Sequence, residues 1–273
     1  MSTDGFESFE GAGISTRRTE GVLHVRIERP KRRNALTTLE FRALANVMEQ
    51  AGDAEGVRVV LLTGEGDHFC AGADLDASNR AEAKRPRTGH MIRGLARGAH
   101  RAIRAMHESP IPIVASVRGY ATGFGCNLAL GADFVVAHES ARFVEPFVDR
   151  GLTPDSGASW ILPRLVGLAR ARRMLMLGEA VTGTQGAEWG LVHEVAAEAE
   201  FEACVESLVE RLASAATISV GLSKSLIHRA SETGLAEALE NEAYAEELAI
   251  RTSDFKEGLA AFRDRRGPKF SGH

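Results

Sequence analysis

The stretch from Ile111 to Asp133, IPIVASVRGYATGFGCNLALGAD, decides how this chain is read. It opens with apolar, mostly β-branched residues (Ile111, Ile113, Val114, Val117), the pattern of a strand buried on both faces. Glycines at 119, 123 and 125 interrupt it, and a small-residue and leucine pattern then resumes as a helix through Leu130. A strand, a glycine turn and a helix leave several backbone N–H groups at the helix start without intrahelical partners. The macrodipole adds positive potential at the same place. Such a corner can hold a phosphate, a carboxylate or the oxyanion of an acyl group. Gly123-x-Gly125 lacks the third glycine and the downstream acid of a dinucleotide fingerprint, which removes the Rossmann reading.

A second corner of the same kind lies about fifty residues upstream. Val57–Gly64, VRVVLLTG, is another buried-strand pattern and leads into His68-Phe69-Cys70-Ala71-Gly72-Ala73-Asp74-Leu75. Two converging backbone N–H groups are the minimum for an oxyanion hole, and spacing alone leaves their convergence open. Phe69-x-Ala71-Gly72-x-Asp74-Leu75, followed by Gly119-Tyr120-Ala121-x-Gly123-x-Gly125-Cys126, resembles the enoyl-CoA hydratase/isomerase (crotonase) family. The likeness runs from about Val22 to the C-terminus, with two separated motifs in the right order. It implies an α/β fold, a crotonase-like spiral of repeated ββα units with a helical C-terminal region. It also implies that Ala71 supplies the first oxyanion N–H and Phe124 the second. Gly72, Ala73, Asp74, Leu75 and Gly123 would border the same site, with Asp74 fixing the turn.

At 273 residues, 44% apolar and 26% charged, the composition is that of an ordinary soluble globular protein. The 33 Lys and Arg against 37 Asp and Glu give no electrostatic case for nucleic acid. No apolar run approaches the roughly 20 residues that span a bilayer. The N-terminus carries Asp4, Glu7 and Glu10 and lacks a hydrophobic region, so it reads as neither a secretory signal nor a transit peptide. Cys70, Cys126 and Cys204 stand in apolar settings without a metal-ligand spacing and read as reduced thiols of a cytoplasmic protein. Residues 1–19 are expected to be a loosely ordered leader, 20–200 a spiral core and 201–273 a helical oligomerisation region. Within the core, Thr37 or Thr38 caps a helix with Leu39, Leu44 and Val47 on one face. Met91–His107 returns as one helical pattern, and the polar stretch 76–90 between is expected to be a mobile loop that, by the resemblance, lines an acyl pocket. The C-terminal helices are expected at Glu198–Ala213, Ser219–Ala230, Leu235–Ile250 and Asp254–Arg265.

The resemblance also frames the chemistry. Hydratases of the family carry two glutamates that position and activate water, and the matching positions here hold Asn127 and Phe147. Asparagine is no base and phenylalanine excludes water. The carboxylate that survives is Asp155 in Gly151-Leu152-Thr153-Pro154-Asp155-Ser156-Gly157, which resembles a motif of the isomerase branch. There such an acid shuttles a proton between the carbons alpha and gamma to a thioester carbonyl, and a single base suffices for that shift. Asp155 could instead cap the following helix. The alternatives are a hydratase with an atypical residue set and a non-catalytic acyl-CoA binding protein; nucleophilic attack by Asp155 ranks below these. Glu145 is expected on a structural turn, with Glu82 and His90 in solvent. Lys31, Arg32, Arg33, Lys269 and Phe270 are the expected contacts to coenzyme A, which enters as part of the substrate. No metal or redox cofactor is expected, and the resemblance implies a homotrimer or hexamer.

Overall fold

A computed structural model of the chain describes residues 5–75 and 87–273. The all-apolar run at Ile113–Val117 forms β5, every residue of it buried, at the interior of a seven-stranded sheet. The sheet runs β1 (Glu7–Ser8), β2 (Ile14–Thr19), β3 (Val22–Ile27), β4 (Val59–Gly64), β5, β7 (Phe134–His138) and β10 (Glu194–Ala196). From β3 to β10 the pairing is parallel, while β1 and β2 add antiparallel at one edge. A second, three-stranded sheet is built from β6 (Tyr120–Thr122), β8 (Arg142–Val144) and β9 (Val181–Thr182). Each core unit thus sends one strand into the large sheet and one short segment into the small layer before its helix, which is the expected ββα repeat.

The helices follow from local sequence. Thr37 caps α1 (Thr38–Asp53), and Glu40 reaches back to the Thr37 N–H at 2.7 Å, completing a capping box. Leu44 and Val47 are buried as expected, but Leu39 faces solvent and Ala43 and Met48 share the buried stripe instead. The single helix expected over 91–107 is broken at Gly98 into α2 (His90–Arg97) and α3 (Ala99–Glu108). A Cβ at Gly98 would stand 3.2 Å from Phe41 Cβ, so the break lets the chain approach α1 closely. His90, expected in solvent, is the exposed first residue of α2. α4 (Phe124–Leu130) and α5 (Ala158–Leu177) close the core, α5 with a non-helical Gly167 inside it.

Two of the expected domain boundaries lie elsewhere in the structure. Ile14–Thr19 pairs residue for residue with β3, Ile14 is fully buried, and Glu7–Ser8 pairs on β2 in turn, so most of the described part of the segment expected as a loose leader is tied into the sheet. Arg17 and Arg18 hide the pattern in the sequence, and the partner strand supplies what local periodicity does not. Beyond α6 (Gly183–Trp189), α7 (Glu198–Ala213) packs Phe201, Val205, Val209 and Leu212 on Val59, Leu61, Val114 and Val136 of the sheet. Each such burial contributes about 1.5–3 kcal/mol, so α7 belongs to the core although it begins the expected C-terminal region. α8 (Thr217–Ala230), α9 (Leu235–Ala249) and α10 (Ser253–Asp264) complete the chain. Among the described residues no helix is long and apolar enough to cross a membrane. Most of the expected pocket loop, residues 76–86 with Glu82, lies outside the described residues.

Candidate active site

The two glycine corners meet at the C-terminal ends of β4 and β5. Cys70 N–H donates to the Tyr120 carbonyl at 3.0 Å and Thr122 N–H to the Cys70 carbonyl at 2.9 Å, which locks one corner to the other. The approach is close enough to require glycine at two points. A Cβ at Gly125 would stand 2.1 Å from the Cys70 carbonyl oxygen. At Gly72, whose φ is +86°, it would stand 2.6 Å from the Thr122 oxygen and 3.6 Å from Phe124 N. The backbone therefore brings the two corners into contact.

The donors are not quite the expected pair. Ala71 N–H is already given to the Arg33 carbonyl at 2.9 Å, and Gly72 N–H points at the Cys70 sulfur at 3.4 Å. Ala73 N–H, on an exposed residue, meets no acceptor among the described residues. The first available donor of this corner is therefore Ala73, and Ala71 holds the corner to the Arg33 loop. Phe124 N–H, first in α4, likewise has no acceptor among the described residues, and its N-cap Gly123 offers no side-chain bond. The Phe124 ring packs edge-on to Phe41 at 4.7 Å, which leaves the N–H to the corner.

Around these donors stand Asn127, Phe147 and Asp155. Asn127 is fully buried, and its Nδ2 donates to the Gly123 carbonyl at 3.2 Å and the Asp155 carbonyl at 3.3 Å; its Oδ1 accepts nothing among the described residues. Pro146 and Phe147 lie 3.9 Å from where a Cβ on Gly123 would be, so the buried Phe147 ring forms an apolar wall beside the second donor. Asp155 is half-buried, and its Oδ1 accepts from Ser156 Oγ at 2.5 Å. Ser156 and Gly157 both have positive φ, +55° and +91°, and this double left-handed turn presents the carboxylate. Gly157 is the N-cap of α5, and Ala158 N–H, at the start of that helix, donates to the Asp155 backbone carbonyl at 3.2 Å rather than to its side chain.

Glu145, expected on a turn, is a buried site neighbour. It is 0% exposed, and neither carboxyl oxygen has a hydrogen-bond partner among the described residues. Burial pushes its carboxyl up to about 8; the Cys126 thiol opposes this and the Asp155 charge adds to it. The available signal was a lone carboxylate inside the apolar run Phe143-Val144-Glu145-Pro146-Phe147.

The expected coenzyme A contacts divide. Lys31 and Arg33 are exposed on the loop after β3, and Arg33 stands 5.9 Å over the Tyr120 ring. Arg32 pairs with the buried Asp74 at 3.0 Å, and Arg29 pairs with the same carboxylate at 3.0 Å. Asp74 thus clamps the corner, and the neighbouring Leu75 is exposed. Lys269 and Phe270 are not brought to the site of their own chain. The Phe270 carbonyl accepts from Arg58 at 3.1 Å, just before β4, whereas the corners follow the other end of that strand. At about 3.3 Å per residue the strand separates them by roughly 20 Å.

The sequence matches the family model "Enoyl-CoA hydratase/isomerase" over residues 17–273. Relatives include the 1,2-epoxyphenylacetyl-CoA isomerase of Escherichia coli (strain K12), 35% identical over 254 residues covering 93% of this chain and 96% of the relative. The crotonyl-CoA hydratase of Syntrophomonas wolfei is 33% identical, over 89% of this chain and 92% of the relative. The crystal structure of an enoyl-CoA hydratase from Bacillus anthracis superposes with a TM-score of 0.88 at 31% identity, covering 96% of this chain and 100% of that one.

Proposed function

The chain belongs to the enoyl-CoA hydratase/isomerase family of acyl-CoA enzymes, and within it we propose that this protein is an enoyl-CoA isomerase whose base is Asp155. The observation that carries the reading is Asp155 tied by Asn127 to the Gly123 corner, where neither water-activating glutamate is present. The thioester oxygen sits between the N–H groups of Ala73 and Phe124. The Asp155 carboxylate takes a proton from the alpha carbon of a 3-enoyl thioester, and the electron pair moves to that oxygen as a dienolate. The same proton returns to the gamma carbon and the double bond ends in conjugation, with no net gain or loss of electrons. Removing one oxyanion donor typically costs about 10²–10³ in rate in other enzymes, so the N–H pair sets the reaction class. Phe147 keeps water from the dienolate. Lys31 and Arg33 are the surface cations for the nucleotide phosphates, and the coenzyme is part of the substrate.

The same reading assembles the chain as a homotrimer or hexamer. Leu165, Leu168, Met176 and Leu177 on α5, and Leu235, Leu239, Tyr244 and Leu248 on α9, are exposed in one chain and suit burial between copies. Lys269 and Phe270 would then reach a neighbouring subunit's nucleotide, and light scattering of the purified protein measures the assembly. The free Cys70, Cys126 and Cys204 suit a reducing, cytoplasmic compartment.

The test is ultraviolet absorbance with a 3-enoyl-CoA and, in parallel, a 2-enoyl-CoA. Growth of the conjugated-thioester signal from the first is the expected result. Decay of that signal from the second, with no growth from the first, makes the protein a hydratase. Silence in both with tight acyl-CoA binding by calorimetry makes it a binding protein.

A further inference from the structure

One buried group at the site takes no direct part in the proton shift. Glu145 follows β8 directly, and Gly123 N–H donates to the Val144 carbonyl at 2.8 Å, which fixes Glu145 alongside the start of α4. The groups acting on it among the described residues are the Cys126 thiol, from α4, and the Asp155 carboxylate, from the turn before α5; no cation faces it. Asn127, also on α4, is neutral, and its Nδ2 is committed to two carbonyl oxygens. A fully buried carboxylate with no cation and, beside it, only a weakly donating thiol is costly, and the cheaper state keeps its proton. Two carboxyl groups in one apolar site reinforce this, because the second charge repels the first.

Resting on the isomerase reading, we propose that Glu145 is a positioning residue of the active site: it stays un-ionised beside Asp155 and acts on the substrate only through it. The site then holds one carboxylate and one carboxylic acid, a division of labour between neighbouring carboxyls set by environment. Asp155 takes a proton from the alpha carbon and returns it at the gamma carbon. The Glu145 proton is never consumed, so the pair finishes each turnover as it began. When Glu145 ionises, an unpaired charge beside Asp155 has to be hydrated, and water is drawn into the pocket that Phe147 keeps dry.

Glu145→Gln keeps the shape and removes the charge, and two readouts test it. The first is thermal melting of the intact Gln variant and the unmodified protein from pH 5 to pH 9. A carboxyl held above its ordinary 4.5 in the native state keeps a proton that the unfolded chain releases. The unmodified protein therefore loses stability relative to the variant as pH rises from about 4.5 to about 8, with no further loss above. A melting gap that widens across that window is expected, and a gap that stays constant overturns the proposal. This readout needs no substrate. The second is the pH profile of kcat with a 3-enoyl-CoA: the unmodified protein shows an alkaline decline through an inflection near 8, and the variant does not. The same inflection in both proteins overturns the proposal. A widening melting gap with no isomerase turnover at any pH supports the proton on Glu145 and sinks the functional reading instead.

Discussion

Asn127 Nδ2 bridges the backbone carbonyls of Gly123 and Asp155, at 3.2 and 3.3 Å, so this one side chain holds the backbone of the proposed base to the Gly123 corner. Losing such a bridge forfeits two hydrogen bonds of about 1 kcal/mol each. Asn127→Ala is expected to lower kcat for the 3-enoyl-CoA by roughly 10–30-fold while KM moves little. Steady-state kinetics decide it, and an unchanged kcat would show that the bridge has no catalytic part.

Asp155→Asn keeps the size of the side chain and an acceptor for Ser156 Oγ but cannot take a proton. A positioned base contributes about 10²–10⁴ in rate, so isomerisation is expected to fall by that order. Binding of the acyl-CoA, measured by calorimetry on the same preparation, should be retained within a few-fold. A variant that isomerises at the unmodified rate would remove Asp155 from the mechanism.

Gly72 sits between the two donors, and its Cα is where the corners touch. Gly72→Ala puts a methyl 2.6 Å from the Thr122 carbonyl and forces an L side chain to φ +86°. The corner has to shift, which carries the Ala73 N–H away from Phe124 N. The expected loss in kcat is on the order of 10²–10³, that of a missing oxyanion donor. Circular dichroism should report a folded protein, because the strain is confined to one buried turn outside the strands; full activity would show that the two donors do not act together.

How far the sequence foretold this depends on how local each feature is. β5, its glycine turn and α4 were readable because burial on both faces and the change of period are written in consecutive residues. α7 came out at Glu198–Ala213 for the same reason. The identity of the first donor was not readable: whether Ala71 or Ala73 has a free N–H depends on the Arg33 carbonyl, nearly forty residues away. Glu145 does stand directly before a turn, but its burial was not readable, because its neighbours Cys126 and Asp155 come from other segments of the chain. β2 was missed because its pairing with β3, and not its own residues, buries Ile14.

The last prediction concerns how α8 is fastened beneath the sheet. Lys224 is buried, and its Nζ meets Asp133 Oδ2 at 2.8 Å and the carbonyls of Met106 and Ile111 at 2.8 and 3.3 Å. The same Asp133 oxygen accepts from Ile113 N–H at 2.8 Å, so one ion pair ties α8 to the starts of β5 and β7. Lys224→Met leaves the mostly buried Asp133 with one backbone donor and its charge unpaired. Breaking a buried pair from one side costs about 3–5 kcal/mol, which lowers the melting temperature by on the order of 10 °C in a chain of this size. Adding Asp133→Asn removes the stranded charge, and the double variant is expected to recover part of the loss. If the single variant melts with the unmodified protein, the pair is not what holds α8, and the apolar contacts of that helix carry it alone.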